Sequence, residues 1–316
     1  MRQFLAVMLS LLLPAAIVSL YASLPQAGPQ PAAAAEPSPA PAAAQAPAAP
    51  AKQPQAPLGE WLDPNQSAPN GTQYKTFPSK VLGRDVSYLI YLPPGYEQQQ
   101  NKRYPVIYWL HGRGGNQRAG AMVFIPLLDA AVKQGSLPPA IVVLVNGMGR
   151  GHYLDQPNGQ LPIESVIIKD LVPHIDQTYR TIAKREGRVI EGFSMGGFGA
   201  AHLGFKYPEL FGTVIVNSGA LRDATWFPAE EHPKQLARKN ADKLRNQTHI
   251  RIGCGALDDL LPANQELHEV LQQLGIEHQY EVVPDVAHDS ARYYKTLGAK
   301  GFEFLRKILE ALDKVG

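Results

Sequence analysis

The chain is 316 residues long and 45% hydrophobic, with a formal net charge of +2, one cysteine and nine histidines. That much apolar material supports a sizeable core, while a charge so close to zero, without a basic stripe interleaved with aromatics, argues against a nucleic-acid partner. Cys254 has no second thiol to pair with and sits in the apolar run IRIGC as a buried strand residue; no HxxxH or CxxC spacing occurs, so neither a metal ion nor any other cofactor is expected.

Phe4 to Ala22 is an apolar run behind Arg2, broken only by Ser10, Pro14 and Ser19. It is long enough to cross a bilayer as a helix and longer than the ~7 to 15 residues of a secretory h-region. Leu20 spoils a small-x-small cleavage site ending at Ala22, which favours an uncleaved membrane anchor over a removed signal peptide. No cysteine follows the run to carry a lipid. With Arg2 on one side and no basic residue before Lys52 on the other, the rest of the chain is expected to be extracytoplasmic, facing the periplasm or cell exterior. Residues 1–24 are therefore an anchor or signal. The next stretch, with 10 Pro and 14 Ala among residues 25–57, reads as an extended spacer, and residues 25–70 as a linker. A tail without a role is the plainer alternative.

From Gly71 to Gly316 short β-branched runs alternate with segments of helical period, the pattern of a mostly parallel central sheet with helices on both faces. DVSYLIYL, YPVIYWL, AIVVLVN, RVIEG, TVIVN, HIRIGC and HQYEVV read as strands, the first of them antiparallel beside a possible strand QYKTF. PLLDAAVKQG, ESVIIKDLVPHIDQTY, Gly197 to Tyr207, PANQELHEVLQQLG and GFEFLRKILEALDK read as helices, and Gly275 ends the fourth. Chemistry in such sheets sits in loops at the carboxyl ends of the strands.

RVIEGFSMGGFGA places Ser194 between a strand and a helix, within GxSxG. A displayed nucleophile needs small flanks, which Gly192, Gly196 and Gly197 supply; the alternative is a glycine-rich turn without function. A serine hydroxyl needs a base, and the base a carboxylate to orient it. Of the histidines after Ser194, only His288 directly follows a strand end. The loop GALDDLLP puts Asp258 and Asp259 at the end of HIRIGC, and spacing does not separate them; Asp285 and Asp289 are too close to His288 in sequence to reach its far nitrogen. Backbone donors for an oxyanion fall at Met195, which opens the helix, and at Arg113 in the HGRGG loop after YPVIYWL.

These stretches, YWLHGRGGN, RVIEGFSMGGFGA, KYPELFGTVIVNSGAL and GALDDLLP through VVPDVAHD, resemble the esterase family of α/β-hydrolases that includes esterase D, feruloyl, acetylxylan and enterochelin esterases and the mycolyltransferases. The resemblance runs from about Thr72 to Gly316. It implies an α/β-hydrolase fold with Ser194 as nucleophile, His288 as base, Asp258 rather than Asp259 as acid, and Met195 and Arg113 as oxyanion donors. The family's frequent GGHDW is replaced by Val286-Ala287-His288-Asp289-Ser290, so an aromatic wall is missing beside the base. GRGHYLDQPNGQLP resembles the family's variable substrate loop, making Tyr153 and Asp155 substrate-binding candidates against ordinary loop packing. The expected activity is a serine carboxylic-ester hydrolase with a small-molecule or glycan-linked substrate at an open site. The alternatives are an envelope acyltransferase of mycolyltransferase type, with a sugar hydroxyl as acceptor, and an inert membrane-tethered binding module, which the complete set of roles disfavours.

Overall fold

The computed structural model describes residues 58–156, 159–223, 227–245 and 247–313. The run Phe4–Ala22 and the Pro/Ala spacer lie outside these residues, and none of the described helices is long and apolar enough to cross a membrane. β1 (Thr72–Ser79) and β2 (Arg84–Tyr91) pair antiparallel from Thr72 opposite Tyr91 to Ser79 opposite Arg84. Every residue of β3 (Val106–Leu110) is buried, as an unbroken VIYWL requires of a strand covered on both faces. α1 (Arg118–Val123) and α2 (Ile125–Lys133) lead to β4 (Ile141–Val145), equally buried, which runs parallel to β3 and antiparallel to β2.

The helical run expected over residues 164–179 is not one α-helix. A short α3 (Ile163–Ser165) passes into a π-helical turn, Val166–Leu171, before α4 (Val172–Thr178). Pro173 sits in the first turn of α4, and without an N–H it cannot close a bond to the carbonyl four residues back, so the register widens there. β5 (Arg188–Phe193), α5 (Met195–Lys206) and β6 (Thr213–Asn217) follow. α6 (Pro233–Lys239) and α7 (Ala241–Leu244) lead to β7 (His249–Gly255), α8 (Leu261–Gln273) and β8 (Gln279–Val283). α9 (Ser290–Gly301) and α10 (Glu303–Asp313) close the described chain.

The sheet order is β1-β2-β4-β3-β5-β6-β7-β8, with β3 to β8 mutually parallel. Alternate residues of each central strand face opposite cores. Tyr108 and Leu110 join Ile190, Phe198 and Val214 on one side, while Ile107 and Trp109 join Phe124, Val189 and Tyr294 on the other. Residues 58–70 of the expected linker are among the described residues. Trp61 and Asp63 are buried, Trp61 within the first of those cores, because a single tryptophan buries enough apolar surface to pin a short irregular segment.

Candidate active site

β5 delivers the chain to Ser194, whose φ of 61° and ψ of −116° place a non-glycine residue in the left-handed region before α5 begins. The turn is possible because its neighbours lack side chains. A Cβ on Gly192 would lie 2.3 Å from the Gly196 backbone, and one on Gly196 would lie 2.0 Å from the Leu110 carbonyl. The Ser194 N–H donates to the Asn217 carbonyl at 3.0 Å, which ties the turn to the end of β6.

Three strand ends then converge. His288, in the loop after β8, has Nε2 at 2.8 Å from Ser194 Oγ and Nδ1 at 2.8 Å from Asp258 Oδ2. Asp258, in the loop after β7, is buried, and its Oδ1 accepts the Leu260 N–H at 2.8 Å. Burial pushes its carboxyl up, but the bonds from His288 and the Leu260 N–H outweigh this and hold it below the ordinary carboxylate range. An ionised Asp258 accepts the hydrogen bond from His288 Nδ1–H, an arrangement that presents Nε2 to the serine hydroxyl as an acceptor. Asp259 is exposed, and its backbone carbonyl accepts from Arg222 at 2.6 Å. Asp289 caps α9 through the Arg292 N–H, and the Phe193 ring lies 5.1 Å from the His288 ring, between centroids. His202, His232, His268 and His278 are engaged elsewhere.

The HGRGG loop passes over the start of α5: a Cβ on Gly112 would lie 3.5 Å from Ser194 Cβ. Among the described residues neither the Met195 nor the Arg113 N–H donates to a protein acceptor. A residue that sequence reasoning passed over holds this loop. His111 is fully buried, its Nδ1–H donating to the Gly112 carbonyl at 2.9 Å and its Nε2 accepting the Gly147 N–H at 3.2 Å. Burial pulls its pKa down to about 4, so the ring is neutral and can both donate and accept. Its place in HGRGG, at a strand end, is the signal that could have found it.

Tyr153 and Asp155, the two substrate-binding candidates, both have partners within the protein. Tyr153 is completely buried, with its hydroxyl donating to the His111 carbonyl at 3.0 Å. A ring enclosed beneath the loop has no face left for a ligand. Asp155 accepts the Ser165 N–H and hydroxyl at 2.9 and 2.7 Å and so fixes the start of the π-helical turn.

Below the elbow lies a second feature without a sequence signal, the buried carboxyl of Glu191. It accepts from Tyr294 Oη and Asn217 Nδ2, both at 3.0 Å, and burial raises its pKa to about 7 against the opposing influence of Tyr294, Arg251 and Asn217. A separate group, Glu164, His202 and Glu231, brings its ligand atoms within 4.8 Å of one another. Lys206 Nζ stands 2.9 Å from Glu164 and 2.6 Å from Glu231, so an ammonium already supplies the cation those carboxylates require.

The family model described as "Putative esterase" matches residues 79–302. The endo-1,4-beta-xylanase/feruloyl esterase of Xylanibacter ruminicola is 28% identical over 242 residues, which are 71% of this chain and 30% of that protein. An esterase of Mycobacterium tuberculosis is 31% identical over 161 residues, 50% of this chain and 34% of that protein. The chain thus spans about a third of the length of these relatives. Among solved structures, a ferulic acid esterase aligns with a TM-score of 0.67 at 26% identity, covering 77% of this chain and 100% of that one.

Proposed function

The chain belongs to the esterase family whose model it matches over residues 79–302, and from that premise we propose that it is a serine carboxylic-ester hydrolase. Ser194 Oγ attacks the ester carbonyl while His288 Nε2 accepts its proton. Asp258 holds the ring through Nδ1–H and stabilises the imidazolium that forms. The carbonyl oxygen becomes an oxyanion received by the Met195 and Arg113 N–H groups, each such donor worth roughly 3 kcal/mol in the transition state. Collapse expels the alcohol, which takes the proton from His288, and leaves an acyl-serine. Water activated by the same histidine then releases the acid.

The observation that carries this reading is the continuous path of two 2.8 Å contacts from Ser194 through His288 to Asp258, ending on a serine at positive φ. The substrate proposed is an ester of a feruloyl-like or acetyl acyl group on a sugar-linked alcohol. Two things support it: the similarity to proteins named feruloyl esterases, and a site open enough to leave the His288 side chain 40% exposed. The apolar run Phe4–Ala22 behind Arg2 supports placing the domain outside the cytoplasmic membrane, tethered to it or released from it.

A fluorophosphonate probe tests the chemistry: it should label the protein and leave Ser194→Ala unlabelled, and continued hydrolysis by that variant would overturn the assignment. Feruloyl and acetyl esters of xylo-oligosaccharides, compared with simple p-nitrophenyl esters, test the substrate class. Transfer of the acyl group to an added sugar would favour a transferase instead.

A further inference from the structure

Residues Leu58–Asp63 precede β1 and lie outside the stretch matched to the family, yet both flanks of the oxyanion loop are fastened to them. On the first flank, the Gly114 N–H, one residue past Arg113, donates to the Gly149 carbonyl at 2.7 Å. The Gly149 N–H in turn donates to the Leu58 carbonyl at 2.5 Å. Asn146, at the end of β4, secures the same connection: its Nδ2 donates to the Glu60 and Trp61 carbonyls at 2.8 and 3.1 Å. The Asn146 Oδ1 accepts the Met148 N–H at 3.3 Å, and Met148 itself sits at a φ of 56°, a conformation that needs surrounding contacts to persist. On the second flank, Arg118 forms an ion pair with Asp63, and the Asp63 N–H and Gln117 Nε2 both donate to Ser87 Oγ at 3.0 Å.

Between these flanks the loop's own bonds are the one from His111 to the Gly112 carbonyl and the Gly115 N–H to the same carbonyl at 3.1 Å, and neither reaches Arg113. Gly112, Gly114 and Gly115 carry no side chains to pack, and the Arg113 side chain is exposed. The position of the Arg113 N–H is therefore set by backbone bonds to residues that are themselves held from outside. An oxyanion donor has to be correct to a fraction of an ångström. We propose that Leu58–Asp63 is a strap that positions the oxyanion loop, so that the segment joining the spacer to the family domain contributes to transition-state binding. Trp61, buried in the core, is its fixed point; Asn146 and Asp63 are the positioning residues through which it acts. The proposal rests on the reading of Arg113 as an oxyanion donor.

An oxyanion forms only in the transition state, so a slackened strap lowers kcat and spares KM, which general loss of packing does not do selectively. The test uses the full chain carrying Asn146→Ala or Asp63→Ala, assayed on p-nitrophenyl acetate and with phenylboronic acid, whose tetrahedral serine adduct places an oxygen in the oxyanion position. The expected result is a loss of about tenfold in kcat, below the hundredfold or more for removing a donor outright. KM should stay within about twofold, and boronate affinity should weaken by about the same factor as kcat. Gly59→Ala supplies a variant that leaves every side-chain bond in place: its Cβ would meet the Gly149 nitrogen at 3.2 Å, at a φ of +88°. Folded variants with kcat and boronate affinity within about twofold of the parent would overturn the strap. So would variants in which KM rises as much as kcat falls. Ser194→Ala run in parallel separates the two readings: hydrolysis that survives it overturns the esterase assignment, whereas its loss beside unaffected strap variants overturns the strap alone.

Discussion

Ser194, Asp258 and His288 stand at or just beyond the ends of β5, β7 and β8, so the sheet itself sets their spacing and each side chain needs only a few residues of loop to reach its place. The HGRGG loop is held differently. It leaves β3 on glycines and takes its shape from His111 and Tyr153 and from backbone bonds that run through Gly149 to residues near the start of the described chain. A site can thus combine a half fixed by strand register with a half assembled from distant pieces. The first half should fail all at once when a member is removed, and the second by degrees.

The largest test of that contrast is Ser194→Ala, expected to lower kcat by roughly 10⁵ to 10⁶-fold without unfolding the chain, as measured by ester hydrolysis alongside thermal melting. Asp258→Asn should lower kcat by roughly 10⁴-fold, because the amide favours the wrong histidine tautomer. Asp259→Asn, altering the exposed carboxylate beside the one bonded to His288, should leave kcat within about twofold, and a comparable loss there would break the assignment of the acid.

Glu191 gives the next effect, in stability. In the unfolded chain its carboxyl ionises near 4.5 and in the folded chain at about 7. Between those values only the unfolded state gives up the proton, so folding stability is full below about pH 4.5 and falls as pH rises towards 7. The fall is about 3 kcal/mol, because each tenfold difference in proton affinity between the two states is worth roughly 1.4 kcal/mol. Urea midpoints at pH 5 and pH 7.5 should differ by correspondingly less in Glu191→Gln than in the parent. The smallest effect belongs to the assembled half. Tyr153→Phe loses one buried hydrogen bond and should lower stability by about 1 kcal/mol, with KM unchanged. A raised KM would mark Tyr153 as a substrate contact.

Ser194, Asp258 and His288 stand out in the sequence because each closely follows an apolar run, and a sheet turns that local pattern into spatial order. The strap does not stand out. Trp61 is one aromatic in a polar stretch without a period, and its burial depends on Asn146 and Ser87 far along the chain. The burial of Tyr153 is hidden for the same reason, since its partner His111 lies 42 residues away and a polar, glycine-bearing loop reads as surface. Among the helices, α8 shows its period and its Gly275 stop. α1, α6 and α9 are short or rich in small and charged residues, and packing against the sheet makes them helices where their composition does not.

The ring of Tyr153 fills the space that two other residues would otherwise occupy. A Cβ at Gly147 would come within 2.0 Å of it, and one at Gly199 within 2.3 Å. Neither glycine can grow while the tyrosine remains, and once either has grown the tyrosine cannot return. The three positions are therefore sterically coupled, and a substitution that enlarges either glycine fits this corner only together with a smaller residue at 153.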